Sequence, residues 1–240
     1  MGNAISRLKN FCCGRLKQRT LLRIIIPLIL VSYFGSLLLA MWLFPGPFDW
    51  RAKSMSKLLY PRNNPQFHLI GSVGVALAGV AVIPFAGYIG SRVHAISPRA
   101  ASIAAPVFGI GALSLILAAL IVFQPYHDFF ARGAGICLGA GMLVFYAGAL
   151  RGRSVRPDEK DAWQRIALAW SVTVPPALLI VVLRVLAAVH LQWANPVYRI
   201  VENRALWHLG FWEWIGSIAA FLFLLNAALY LPKDRDRQIL

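Results

Sequence analysis

The stretch that decides the fold is WHLGFWEWIGSIAAFLFLLNAALYL, residues 207–231, in which one acidic residue interrupts an apolar segment. That residue is Glu213, about two helical turns from the start. A segment of this kind can cross a hydrocarbon layer of about 30 Å, which takes roughly 20 residues of helix. An unpaired charge within such a span costs a few kcal/mol. The stretch therefore predicts a membrane helix in which Glu213 is buried against a polar partner.

The composition extends this prediction to the whole chain. The 240 residues are 59% apolar and 14% charged, with a mean hydropathy of +0.65, which is too apolar for a soluble globule. The net charge of +15 comes mainly from basic residues at the ends and between apolar runs, where membrane proteins carry them. We therefore predict a multi-pass protein of a plasma membrane or bacterial inner membrane, with membrane lipids as partners, no nucleic acid and no cofactor. Protein partners and homo-oligomers stay open.

Six apolar runs are long enough to span a bilayer. Each must be helical, because a span in lipid has to satisfy its own backbone hydrogen bonds. We predict an all-α bundle of six transmembrane helices as one domain, residues 21–231, between a basic cytoplasmic segment 1–20 and a cytoplasmic tail 232–240. The predicted spans are 21–44, 67–90, 101–123, 129–150, 164–190 and 206–231.

The distribution of basic residues predicts the orientation. With both termini in the cytoplasm, the inner side carries sixteen Lys and Arg, counting Arg23 at the start of the first span, and the outer side seven. The first outer loop, residues 45–66, carries a basic cluster that argues the other way. Aromatic residues favour headgroup depth and support the N-in, C-in choice. Those predicted at the outer interface are Trp42, Trp50, Tyr60, Tyr126, Trp193, Tyr198, Trp207, Trp212 and Trp214.

Small residues indicate where helices approach each other. The fourth span contains Gly135-x-x-x-Gly139, and the second contains Gly71, Gly74 and Gly79. Small residues let membrane helices pack backbone to backbone. We expect a packing role for both sets; a ligand groove at Gly135 and Gly139 is the alternative.

The N-terminal segment contains possible lipidation sites. Gly2 with Ser6 fits the myristoylation pattern, and Cys12 and Cys13 fit juxtamembrane palmitoylation. The alternative is a basic amphipathic segment without lipid. The three cysteines predict neither a disulfide framework nor a zinc site.

A buried ion pair is the first interpretation of Glu213. Arg184 lies six residues before His190, or about 9 Å into the fifth span, and Glu213 lies about as far below the start of the sixth. Both residues share helix faces with small residues, which suits a bundle interior. We therefore predict that Arg184 and Glu213 pair and fix the register of the two helices.

A second interpretation makes the polar residues of the outer side a binding site. These groups would line an outward-facing cavity that holds a lipid headgroup, with Arg184 or Lys57 contacting phosphate. The candidate residues are Ser54, Ser56, Lys57, His68, His127, Arg184 and Glu213. Residues 53–59 could form a short interfacial helix, and the loop could act as a lid. We favour binding without catalysis.

The alternative is a membrane-embedded, metal-dependent lipid hydrolase. Its catalytic residues would be His127, Asp128, His208 and Glu213, with His68 as a further ligand. The sequence has no HExxH motif and no GxSxG elbow, and it predicts no metal site outright. Residues 205–209, ALWHL, resemble the histidine motif of alkaline ceramidases, but Arg204 stands where that motif has its first histidine.

A further resemblance covers most of the chain. The pattern FDWRAKSMSKL at 48–58, NNP at 63–65, YHDFF at 126–130 and EW at 213–214 resembles the six-span DRAM/Sfk/Frag group. The resemblance emphasises Ser54, Ser56, His127 and Glu213. Its eukaryotic members are associated with autophagy, phospholipid asymmetry and remodelling of lipid anchors. These are cellular roles, and they imply no particular reaction.

Overall fold

A computed structural model describes residues 10–11, 14–94, 97–151 and 208–231. Within these ranges the chain is helical apart from its turns and loops, and it has no strand. The predicted span 164–190, with Arg184, lies outside the described residues, as do Gly2, Cys12, Cys13 and the tail. The described helices are α1 (Gln18–Trp42), α2 (Ser56–Leu59), α3 (His68–His94), α4 (Pro98–Leu120), α5 (Gln124–Arg151) and α6 (Leu209–Tyr230).

Five of these helices are long and apolar enough to cross a membrane. They confirm a helical, multi-pass membrane protein and agree with five of the predicted spans to within a few residues. The membrane-crossing segments are Gln18–Trp42, His68–His94, Pro98–Leu120, Gln124–Phe145 and Gly210–Leu229.

Helix α4 lies between α3 and α5 and packs closely against both. Phe108 of α4 contacts Phe85 of α3 and Phe145 of α5, with ring centroids 6.4 Å and 6.1 Å apart, and all three rings are fully buried. Helix α6 contacts the start of α1, where Gln18 Nε2 donates to the carbonyl of Ala228 at 2.8 Å. Buried apolar side chains of α1, α3, α4, α5 and α6 form one continuous core.

The glycines of α3 have the packing role that the sequence predicts. A Cβ at Gly74 would overlap Ser36 Oγ and the Ser32 carbonyl oxygen of α1, and one at Gly79 would lie 2.6 Å from Ile116 of α4. Gly135 of α5 is different, because among the described residues no heavy atom lies within 4 Å of a Cβ added there. No described helix packs against Gly135 as closely as α1 and α4 pack against the glycines of α3.

Two side chains lie deeper than their positions in the sequence suggest. Arg92 follows the predicted second span, 67–90, but lies inside α3 and is buried. Its guanidinium is 5.1 Å from the centre of the Tyr88 ring one turn earlier. Cation–π contact lets a long charged side chain stay within an apolar bundle. Trp214, expected among the interfacial aromatics, is 7% exposed and packs in the bundle beside Leu37.

Candidate functional site: a polar cavity beneath the 43–67 loop

The 43–67 loop, which contains the predicted first outer loop 45–66, folds back onto the first turns of α6. Trp50 stacks on Phe211 with ring centroids 6.0 Å apart, and Gly210 lies so close to the Lys53 carbonyl that a Cβ would overlap it. The predicted loop helix is shorter than expected, Ser56–Leu59, and Met55, Leu58 and Leu59 face the bundle and are buried. Close backbone approach, rather than helix formation, therefore holds the loop in place.

Glu213 joins this loop to α6. The Met55 backbone N–H donates to Glu213 Oε2 at 2.6 Å, a short hydrogen bond to a carboxylate oxygen. The Met55 side chain is fixed too, because Tyr33 OH lies 3.5 Å and Ser217 Oγ 3.8 Å from its sulfur. A backbone amide thus provides Glu213 with a polar partner. The predicted pair with Arg184 lies outside the described residues and stays a prediction.

Asn64 closes the other end of the loop, and sequence reasoning missed this role. Its side chain is fully buried, and Nδ2 donates to the carbonyls of Ala40 at 3.4 Å and Leu58 at 3.3 Å. A side-chain amide satisfies carbonyls that would otherwise be orphaned where α1 and α2 end. In the sequence, this role is indicated by two adjacent asparagines before Pro65, at the start of a span.

Beneath the loop is a cavity of about 1290 Å³, bounded by α1, α3, α4, α5 and α6. The part of the cavity next to the loop is lined by side chains of both charges, and the deeper part by apolar side chains. The charged lining residues are Lys57, Arg62, Asp128, Arg132 and Glu213. The apolar lining residues include Val82, Phe108, Met142 and Leu224. Gly135, Gly139 and Gly216 also line it, which favours the groove interpretation of the GxxxG motif.

His127 is the most deeply buried polar group of this lining, at 2% exposure. Its Nδ1 lies 2.6 Å from the Ala118 carbonyl oxygen. A carbonyl only accepts, so Nδ1 carries the proton, and Nε2 of the neutral ring is an acceptor. In the described part of the chain Nε2 has no hydrogen-bond partner. The site therefore contains a buried acceptor that a ligand could satisfy.

Tyr60 links the loop to the start of α5. Its ring lies 4.7 Å from that of His127, centroid to centroid, and its hydroxyl is 3.4 Å from Asp128 Oδ1, a long hydrogen bond. Burial raises the pKa of Tyr60 to about 12, and the neighbouring Asp128 carboxylate adds to the shift. The neutral phenol is thus the stable form beside this carboxylate.

The Asp128→Asn substitution should lower the pKa of Tyr60 from about 12 toward its ordinary value of 10.0, because the carboxylate that opposes the phenolate is gone. The whole shift should not disappear, since burial contributes most of it. Tyrosinate absorbance in an alkaline titration, with Tyr60→Phe as the blank, measures this. Unchanged titration in Asp128→Asn would mean that the two side chains do not interact.

The structure brings most of the predicted binding residues together. Ser54, Ser56, Lys57, His127 and Glu213 all line the cavity, and Ser54 Oγ lies 2.8 Å from Ser56 Oγ. Sequence reasoning did not select Arg62 or Arg132, because each lies in a run of ordinary interfacial residues and only the fold turns it toward the cavity.

Two predicted residues lie elsewhere. His68 Nδ1 is 3.2 Å from the Asn64 carbonyl at the start of α3, and His208 precedes α6; neither lines the cavity. Within the described ranges no three His, Cys, Asp or Glu side chains come together in a way that could hold a metal ion. His127, Asp128 and Glu213 share a cavity but not a coordination point.

No protein-family model, curated protein or solved structure matches this chain. The resemblance to the DRAM/Sfk/Frag group therefore rests on the short motifs alone. Function has to be argued from the cavity itself.

Proposed function

We propose that this protein is a six-span membrane protein, with both termini in the cytoplasm, that binds a membrane phospholipid in the cavity beneath its first outer loop without catalysing a reaction on it. The observation that carries the proposal is the polarity of the cavity, in which one end is charged and the other apolar. A phospholipid has the same two-part chemistry. The fold thus offers its headgroup and its acyl chains separate surroundings.

The cations suit the phosphate. Lys57, Arg62 and Arg132 line the cavity and are exposed, and in the described part of the chain none of them forms an ion pair. Arg binds phosphate through paired N–H groups, and Lys through a compact charge. These three side chains are available to a phosphate that enters at the level of the loop.

The apolar end suits the acyl chains. Ile136 and Leu143 of α5 line the cavity and are 70% and 48% exposed, so this side of the cavity is open along the helix. In a bilayer, exposed apolar side chains of a spanning helix face lipid. An acyl chain could therefore enter sideways from the hydrocarbon layer without crossing a polar barrier.

The resemblance supports the same proposal. Ser54, Ser56, His127 and Glu213, on which the DRAM/Sfk/Frag resemblance puts weight, all line this cavity although they come from three separate parts of the chain. The excess of Lys and Arg on the predicted cytoplasmic side supports the orientation that makes the cavity face outward.

Replacing Lys57, Arg62 or Arg132 with Gln should weaken phospholipid binding by about fivefold each, because a basic side chain near anionic phosphate contributes about 1 kcal/mol. Titration of purified protein with a fluorescent short-chain phospholipid measures this. Arg51→Gln is the matched control, since Arg51 lies in the same loop but is paired with Asp49 at 3.2 Å. A triple variant that binds as tightly as Arg51→Gln would contradict the proposal.

A further inference from the structure

The cavity contains hydrogen-bond acceptors that its own cations do not satisfy. Asp128 and Glu213 both line it. Among the described residues the ion pair is Arg51–Asp49, and it lies outside the cavity. Glu213 accepts the Met55 N–H through Oε2, and within the described part of the chain Asp128 accepts the long contact from Tyr60. Two carboxylates thus line the same cavity as the basic residues without pairing to them.

His127 adds an independent third acceptor. The Ala118 carbonyl fixes the proton on Nδ1, which leaves the Nε2 lone pair buried and without a partner in the described ranges. A buried polar atom without a hydrogen bond costs about 1–3 kcal/mol. This acceptor can be satisfied only by a group that carries N–H or O–H.

These observations point to the chemistry of the headgroup. We infer that the cavity is selective for phospholipids whose headgroup ends in a primary ammonium, as in ethanolamine or serine headgroups; this inference rests on the proposed function. A primary ammonium donates up to three hydrogen bonds and carries the charge that two carboxylates require. A quaternary choline group carries the charge but has no N–H for His127. A glycerol headgroup has hydroxyl donors but leaves the carboxylates uncompensated.

The two signs of charge then have separate roles. Lys57, Arg62 and Arg132 take the phosphate, while the ammonium donates to His127 and is attracted by the carboxylates of Asp128 and Glu213. The cationic and anionic sets lie in one cavity, as a zwitterion requires. A site discriminates best between ligands through hydrogen bonds to charged groups. A ligand that lacks the donor leaves the buried acceptors of the site unpaired.

The test compares phospholipids that differ only in methylation of the ammonium. Purified full-length protein is titrated with short-chain phosphatidylethanolamine, its mono- and dimethyl derivatives and phosphatidylcholine of the same acyl chains. We expect phosphatidylethanolamine to bind at least about tenfold more tightly than phosphatidylcholine, with the loss growing as N–H groups are removed. Equal binding of the four lipids would overturn the inference and leave the proposed function standing. Binding of none would instead overturn the proposed function.

Variants assign the selectivity to its residues. Asp128→Asn and His127→Phe should each reduce the preference for phosphatidylethanolamine over phosphatidylcholine to within about twofold, mainly through weaker binding of phosphatidylethanolamine. Asp49→Asn is the matched control, an exposed carboxylate of the same loop outside the cavity, and should keep the full preference. If His127→Phe does not fold, Asp128→Asn decides alone, and a retained preference in it would overturn the inference.

A soluble competitor separates lipid from free headgroup. Glycerophosphoethanolamine carries the same phosphate and ammonium but no acyl chains. We expect it to bind at least about tenfold more weakly than the lipid, because the apolar end of the cavity stays unfilled. Equal affinity would mean that the cavity binds the free headgroup as well as the lipid, and would overturn the claim that the headgroup comes from a lipid.

Discussion

Replacing Gly74 with leucine should prevent the protein from accumulating in folded form. A Cβ at this position would overlap both Ser36 Oγ and the Ser32 carbonyl oxygen, so α1 and α3 would have to separate. Overpacking costs about 1–3 kcal/mol where side chains can move, and a backbone oxygen can move least. Yield of monodisperse protein in detergent and its thermal midpoint measure the effect.

The control for Gly74 is another helical glycine. At Gly109 of α4, no heavy atom in the described ranges lies within 4 Å of an added Cβ, so Gly109→Leu introduces the same side chain where these helices leave space. We expect it to fold as the original protein does. If Gly74→Leu is equally stable, α1 and α3 do not approach each other as closely as described.

The Glu213→Leu substitution should release the 43–67 loop. It leaves the Met55 N–H without its acceptor, and an unsatisfied buried donor costs about 1–3 kcal/mol. Hydrogen exchange at the Met55 amide, measured by mass spectrometry, should become roughly 5- to 150-fold faster. This is the ratio of exchange rates that corresponds to the same free energy. Phospholipid binding should fall as well, since the loop provides Lys57 and Arg62.

Glu213→Gln separates the hydrogen bond from the charge. The amide oxygen can still accept from Met55, so exchange should stay close to that of the original protein. Glu213→Leu, in contrast, makes α6 more apolar and should insert into the membrane at least as well. If exchange at Met55 is equally slow in Glu213→Leu, the carboxylate does not hold the loop.

The spans could be predicted from the sequence because their signal is local. A run such as 67–90 is long and predominantly apolar, and lipid requires that it be helical. Arg92 shows the limit of that reasoning, since counting charges between runs cannot show that a basic side chain folds back over the Tyr88 ring.

The site could be predicted only in part, because it depends on contacts between distant residues. His127 stood out as a polar group at the outer start of the fourth span, and Glu213 as a charged group within an apolar run. Their actual partners are the Ala118 carbonyl and the Met55 amide, and every residue has such backbone groups, so no pattern marks these two. Likewise, the GxxxG pattern shows that close approach is possible at Gly135, but not which side of α5 meets a neighbour.

The central claim is that the cavity holds a phospholipid, and filling the cavity tests it most directly. Gly216 of α6 lines the cavity, and no heavy atom of the described residues lies within 4 Å of a Cβ added there. Gly216→Leu therefore takes up space in the cavity without overlapping the described helices around it. The measurement is native mass spectrometry of phospholipid retained through purification, with Gly109→Leu as the control outside the cavity. We expect retained phospholipid in the original protein and in Gly109→Leu, and a loss of about tenfold or more in Gly216→Leu. Equal retention in all three would contradict a phospholipid site in this cavity.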